Sequence, residues 1–526
     1  MLAAYVAGDA NAFFAEHFQD RSARVRATQR AARPLTAEVL SALRAQNAKL
    51  APSSARDAHL HALERGAAAV VTGQQVGLFL GPLYTLYKAA SAIAVSRALA
   101  AEAGTPVVPI FWLQTEDHDL PEIASCCVPR DGQPALLLSV PASSDARVSI
   151  AHCELPADIE RNTAALRAEL QRLPHAAEHL DRIERAYRPG ATWGDAFAQV
   201  IAELFAPEGL VVLDPRDPQL AQQMASVHDR ALRDAEAIAA ELQARSAALQ
   251  AAGFDPQVHV RPGAPLSFFH PEGTQDQRSR LTPCERGFKS AAHEHTLAEL
   301  LDVLVAEPLR FSTSALLRPI VQDTLLPTAA YVGGPGEIAY FAQLSPLYAA
   351  FDMPMPLIIP RARFRVIEDK TQRVLDRLKL VPDDALGNAT TLAAAHAART
   401  AAFSPEQLER TLHASFDDAL EAVLARTGAL REQLRPAHEK TKSAVHAAAS
   451  KLTEKYRNAL AHQNQAALRD IERVQLALYP GGEPHERVHG FSYYAARYGE
   501  RAFIDRIMRA LTDTDPFDPA LRDLHP

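Results

Sequence analysis

The chain has 526 residues, 48% of them apolar and 22% charged, so it is long enough for two or three globular units and is neither low-complexity nor disordered. Its formal net charge of −8 supplies no global basic field for nucleic acid. No apolar run reaches the ~20 residues of a membrane span; the most apolar stretch, Leu83 to Ala103, is interrupted by Lys88, Arg97 and Glu102.

Asn11 to Leu63 has helical patterning, with Pro34-Leu35-Thr36 opening a second segment. The pattern then changes. Ala67 to Thr72 (AAAVVT) is a short buried strand, Gly73 to Pro82 is a glycine-punctuated loop, and Pro82 starts a helix that runs to about Ala101. Gly104 and Pro106 stop that helix before a second strand, Val107 to Leu113. Strand, loop, helix and strand in this order make a βαβ unit, which implies a parallel sheet. Further strands are expected at Gly209 to Leu213, Leu266 to Phe269, Ala329 to Val332 and Leu357 to Ile359. The fold class over residues 1–365 is therefore α/β, with insertions near 130–190 and 255–310.

Residues 366–478 are almost all helix-forming. Leu408, Leu412, Phe416, Leu420 and Leu424 recur every fourth residue, and Val445, Leu452, Tyr456 and Leu460 begin a second stripe beyond Gly428. These stripes predict a long helical hairpin or coiled-coil arm. Pro436 should kink or start a helix. Pro480-Gly481-Gly482 ends the arm, and residues 479–526 return to the core with a last helix over Phe491 to Leu511. The four cysteines (Cys126, Cys127, Cys153 and Cys284) have no zinc spacing and fit reduced thiols in a cytoplasmic protein. The N-terminus makes a poor signal peptide, with no basic stretch ahead of its apolar run.

Ligands of open α/β sheets sit beyond the carboxyl ends of the strands. The first candidate there is the loop holding Gly73, Gln74, Gln75, Gly77 and Gly81, with Tyr84 and Lys88 one turn apart on the following helix. It is neither a dinucleotide fingerprint nor a Walker loop, and a plain strand-to-helix turn explains the glycines equally well. The second is Glu116-Asp117-His118-Asp119, where carboxylates around an imidazole suit a base or proton carrier, or equally a divalent cation. The third runs from Arg318 through Gln322 and Asp323 to the loop at Gly333 and Gly334, then Glu337 and Tyr340; Arg361 follows the last strand. Lys440-Thr441-Lys442-Ser443 lies inside the arm and is discounted as a nucleotide loop. The scattered histidines form no metal pattern.

Four blocks taken together are similar to one family. TGQQVGLFLGPLYTLYKAASA from Thr72, PIFWLQTEDHDLPEI from Pro109, RPIVQDTLLPTAAYVGGPGEIAYFAQLSPLY from Arg318 and LYPGGEPHERV from Leu478 resemble, in order, the signature blocks of the bacillithiol-biosynthesis cysteine-adding enzymes, the BshC family. The resemblance implies a nucleotidyltransferase-like Rossmann core and a coiled-coil arm used for homodimerisation. It also implies ligation of the carboxyl of L-cysteine to the amine of glucosaminyl-malate. Under that reading the glycine loops and the helix start after Pro82 hold anionic groups, Gln74 and Gln75 fix polar groups, Arg318 or Arg361 neutralises a carboxylate, and His118 takes a proton from the amine or orients it. Activation of the cysteine carboxyl is required; ATP with magnesium would serve, and no motif declares it. A ligase of another amine and a non-catalytic small-molecule-binding scaffold share the same outline.

Overall fold

A computed structural model describes residues 1–141, 147–275, 277–291 and 293–526. Its centre is a sheet of five parallel strands: β1 (Ala68–Gln74), β2 (Val107–Leu113), β3 (Val211–Leu213), β4 (Thr328–Gly333) and β5 (Leu357–Pro360), in the order β5-β4-β1-β2-β3. Runs such as AAVVT and VVPIFWL lack polar alternation because both faces of the sheet are covered. Three helices bring residues to the carboxyl ends of the strands: α1 (Tyr84–Ala103), α2 (Arg318–Leu325) and α3 (Pro335–Phe341). α1 crosses from β1 to β2 and is buried along most of its length, Lys88 and Ser91 included. Gly104, at φ 65°, closes it by donating to the Ala100 carbonyl at 3.0 Å. Strand order reverses at β1, whose neighbours are β2 on one side and β4 on the other, so the crevice beyond the ends of β1 and β4 is the switch point.

The expected helical stretch from Asn11 divides into three helices, Arg21–Ala31, Ala37–Asn47 and Ser54–Glu64, after a single tight turn at Asn11–Phe13. Thr36 and Ser53 cap the second and third by accepting from Val39 N and Arg56 N, signals that helical periodicity alone overruns. The strand expected near Leu266 exists as Ser267–Phe269 but belongs to a separate antiparallel sheet, between Phe311–Thr313 and Ser279–Cys284. The insertion near 130–190 contributes a hairpin (Ser125–Arg130 with Gln133–Ser139) and helices Ile159–Leu170 and Ala176–Ala186. Its residues 142–146, and positions 276 and 292 of the other insertion, lie outside the described residues.

The arm is a hairpin of α4 (Pro405–Ala425) and the 48-residue α5 (Arg431–Leu478), turned at Gly428 with φ 56°. Pro436 lies in the second turn of α5, which starts ahead of it. The single closing helix expected over Phe491 to Leu511 is two, Ser492–Tyr498 and Glu500–Thr512, broken at Gly499 with φ 84°. A further strand with no expectation from sequence, Leu521–Leu524, pairs in parallel with Arg363–Val366 at the arm's root.

Candidate functional site

A cavity of about 340 Å³ opens at the switch point. β1 brings Gly73, Gln74 and Gln75 to it, α1 brings Tyr84 and Lys88, and the β4–α3 turn brings Gly334, Glu337 and Tyr340. Arg318, Asp117 and Arg361 complete the expected set, and Gln114, Tyr331 and Arg487 join them. Larger hollows of about 540, 570 and 410 Å³ lie at the arm's root, beside Arg182 and beside Arg33, away from the carboxyl ends of the strands.

Lys88 is 4% exposed and fully engaged: its Nζ donates to Gly73 O (2.8 Å) and Gln74 Oε1 (2.9 Å) and meets Glu337 Oε2 at 2.5 Å. Burial lowers the Lys88 pKa, and the Glu337 charge works against that drop. Burial also acts to raise Glu337, but Lys88, Gly334 N at 2.8 Å and the Tyr331 hydroxyl at 2.5 Å hold its carboxyl below the usual range. Arg361, 3% exposed, makes a two-pronged bond to Glu486 (2.8 and 3.1 Å) and lies 5.4 Å from the Tyr84 ring centre. Arg318 has only neutral hydrogen-bond partners, Gln322 Oε1 at 2.7 Å and the Tyr340 hydroxyl at 2.8 Å. Arg487 is half exposed at the cavity rim, and its nearest carboxylate, Glu483, is 3.7 Å away.

Several expected ligand-binding residues stand elsewhere. Gly77 and Gly81 pack against each other beneath the cleft; a Cβ on Gly77 would sit 3.1 Å from the Gly81 Cα, and Gly81 has φ 65°. The Tyr187 hydroxyl ties this knot by donating to Gly77 O and accepting from Leu80 N. At the start of α1 the Leu83 N–H is already taken, donating to His489 O at 2.9 Å. Gln322 and Asp323 form a buried relay behind Arg318: Gln322 donates to Asp323 (2.8 Å), which accepts from Tyr348 (2.5 Å). Burial pushes Asp323 up to about 6 against those donors. Gly333 contributes only its carbonyl, which accepts from Arg361 N.

The acidic turn also differs from three carboxylates gathered around an imidazole. Glu116 is fully buried and turned away, accepting from Thr313 Oγ1 at 2.5 Å. Asp119 is an exposed cap for Glu122 N. Asp117 alone faces both the cavity and His118: its Oδ1 accepts from His118 N at 2.7 Å and its Oδ2 from Gln75 at 3.2 Å. Burial raises the Asp117 carboxyl, yet the His118 bonds and the Arg278 charge outweigh it and hold the pKa well below the usual range. Arg278, from the inserted antiparallel sheet, places Nη1 3.1 Å from His118 Nδ1 and 3.7 Å from Asp117 Oδ1. Among the described residues no group of His, Cys, Asp or Glu side chains is arranged to hold a metal ion.

Residues 3–362 match the bacillithiol-biosynthesis BshC N-terminal Rossmann-like domain, and residues 364–517 match the BshC C-terminal coiled-coil domain. The chain belongs to the BshC family. It is 34% identical over 474 residues to a protein of Koribacter versatilis (88% of this chain, 85% of that one) and 33% identical over 512 residues to one of Salinibacter ruber (95% and 92%). Both carry the name "Putative cysteine ligase BshC". The boundary between the two BshC domains falls directly after Arg361, whereas Glu486 and Arg487 lie within the coiled-coil match. Both domains therefore furnish side chains to one cleft. Arg487 stands in the LYPGGEPHERV block, where a signal existed; Arg278 stands in an insertion with no motif around it.

Proposed function

We propose that the chain performs the cysteine-adding step of bacillithiol synthesis, joining the carboxyl of L-cysteine to the amine of glucosaminyl-malate in the switch-point cleft. One observation carries the reading beyond family membership. Lys88 is neutralised by Glu337 and Arg361 by Glu486, which leaves two cavity cations to meet an anion: Arg318, with no ion pair among the described residues, and Arg487, paired only loosely with the exposed Glu483 at 3.7 Å. One unpaired and one loosely paired guanidinium group in a small polar cleft suit a dicarboxylate such as the malyl group. Gln74 and Gln75 fix polar substrate groups, and Asp117 orients the attacking amine by accepting from it.

An amide does not form usefully from a free carboxylate and an amine in water, so the cysteine carboxyl arrives activated; a nucleotide phosphate would meet the same two arginines. Apolar side chains left exposed on the hairpin, Val423 and Leu452 among them, support homodimerisation through the arm. No helix among the described residues is long and apolar enough to cross a membrane, and free cysteine as substrate suits a cytoplasmic enzyme. The test is mass-spectrometric detection of bacillithiol from purified protein, cysteine and glucosaminyl-malate, with and without ATP and magnesium. Product under either condition supports the reading, and dependence on ATP identifies the activating group. Folded protein that forms no product in both conditions counts against it.

A further inference from the structure

His118 is held from one side by a residue that no sequence block announces. Arg278 is buried and fixed on several faces: Nε donates to Ser312 Oγ at 3.1 Å, Nη2 donates to the Thr313 carbonyl, and the guanidinium carbon stands 3.8 Å from the Phe268 ring centre. Its remaining nitrogen, Nη1, faces His118 Nδ1 at 3.1 Å. A guanidinium has only donors. The imidazole nitrogen that meets it must offer a lone pair, so in the neutral ring the hydrogen resides on Nε2. A competing arrangement is built into the same turn. Asp117 Oδ1 lies 3.3 Å from Nδ1 and would accept a hydrogen carried there. Which nitrogen holds the hydrogen is therefore a contest between Arg278 and Asp117, and the arginine's two other anchors keep it from withdrawing.

We propose that Arg278 is a positioning residue that locks His118 in its Nε2–H form, so that His118 donates a hydrogen bond to a substrate oxygen instead of accepting the amine's proton. This rests on the reading that the amide bond forms in the adjoining cleft. His118 is part-exposed beside Asp117, which lines that cleft, and its Nε2 has no partner among the described residues. A donor fixed before the reaction stabilises negative charge that develops on a carbonyl oxygen as the amine attacks, at no cost in reorganisation. The inserted sheet thereby acquires a role in the chemistry: it supplies Arg278 and, through Thr313, the hydrogen bond that turns Glu116 away.

The test has two readouts. In full-length protein labelled with ¹⁵N-histidine, signals lost in His118→Gln are assigned to His118. The wild type should show an unprotonated Nδ1 and a protonated Nε2, and Arg278→Met should move the hydrogen to Nδ1, where Asp117 accepts it. A wild-type spectrum with hydrogen on Nδ1 overturns the proposal, whether or not the Met variant folds; so does a tautomer that Arg278→Met leaves unchanged. In the product assay His118→Ala should lose roughly 100-fold in kcat, the scale of a lost oxyanion donor. His118→Gln, which keeps a donor near the Nε2 position, should recover tenfold or more of that loss. Equal activity of the Gln and Ala variants argues for a proton acceptor and overturns the donor role. Failure of every protein to make product would count against the ligase reading, while the spectra still decide the tautomer.

Discussion

Lys88 and Arg361 each meet a carboxylate within 2.8 Å, whereas Arg318 meets an amide oxygen and a phenol, and Arg487 faces solvent with Glu483 3.7 Å away. The pairing predicts different consequences for removing each. Arg487→Ala should raise the KM for glucosaminyl-malate about tenfold to hundredfold, the value of a charge-assisted hydrogen bond of roughly 1.5–3 kcal/mol. It should leave thermal unfolding unchanged, because the side chain is half exposed and weakly paired. An unchanged KM would remove Arg487 from the site. Glu486→Gln acts the other way: it strips the counter-charge from a buried guanidinium, a loss of roughly 3–5 kcal/mol when one partner of a buried pair is taken. Its melting temperature should fall by several degrees, and the double variant Arg361→Met with Glu486→Leu should recover much of that stability. Equal melting temperatures for wild type and Glu486→Gln would show that the pair contributes nothing.

Elements differ in how openly the sequence declares them, and the reason is physical. β1, β2, β4 and β5 are short uninterrupted apolar runs because both faces are buried, and α1 sits between a glycine loop and Gly104; these and the switch-point cleft follow from pattern alone. Leu521–Leu524 (LRDL) has no apolar alternation, since it is a short edge held by its neighbour and by an ion pair of Arg365 with Asp523 at 2.8 Å. The site divides in the same way. Gln74, Lys88, Arg318 and Glu337 stand next to strand ends and could be found there, whereas Glu486 and Arg278 reach their partners Arg361 and His118 from 125 and 160 residues away, and Arg487 comes with Glu486. Such contacts have no local signature. The terminal strand yields a prediction of its own. A chain ending at Pro519 removes the partner of Arg363–Val366, the Asp523 carboxylate and the Leu524 carbonyl that accepts from Ile367 N at 2.9 Å. With about 1 kcal/mol for each lost hydrogen bond, stability should fall by a few kcal/mol. Hydrogen exchange should rise first across residues 363–367, at the arm's root; unchanged protection there would show that the strand is dispensable.

Across the whole molecule, buried histidines set the response to acid. Burial depresses His228 to about 3, with Arg216 adding to the effect, and depresses His485 to about 4, where the Leu478 carbonyl opposes and Arg365 assists. His489 is lowered to about 3 by burial and by His485. A histidine with a folded pKa below 6.5 takes up its proton more readily when unfolded, so folding stability is lost as pH falls from about 6.5 toward 4. At 1.36 kcal/mol per unit, His485 alone accounts for roughly 3 kcal/mol of that loss. Asp323 has the opposite sign. Its carboxyl is raised to about 6, so the folded state holds the proton more tightly, and its contribution is present in acid and lost between about pH 4 and 6. With His179 likewise depressed to about 3 by burial, four groups against one predict a net fall in the urea midpoint from pH 7 to 4.5. Asp323→Asn, which removes the opposing group, should make that fall steeper, and His485→Gln should make it shallower. A flat profile, or variants that leave its slope unchanged, would defeat the assignment. Two of these histidines also flank the cleft. His485 and His489 bracket Glu486 and Arg487, and the His489 carbonyl caps the start of α1. Protonating both rings, 5.9 Å apart, places two like charges on the segment that carries Arg487 to the cleft. Substrate binding should therefore hold while both rings stay neutral and weaken only as pH falls toward 4, where His485 takes up its proton; titrations that lose affinity near pH 6 with the chain still folded would defeat the assignment.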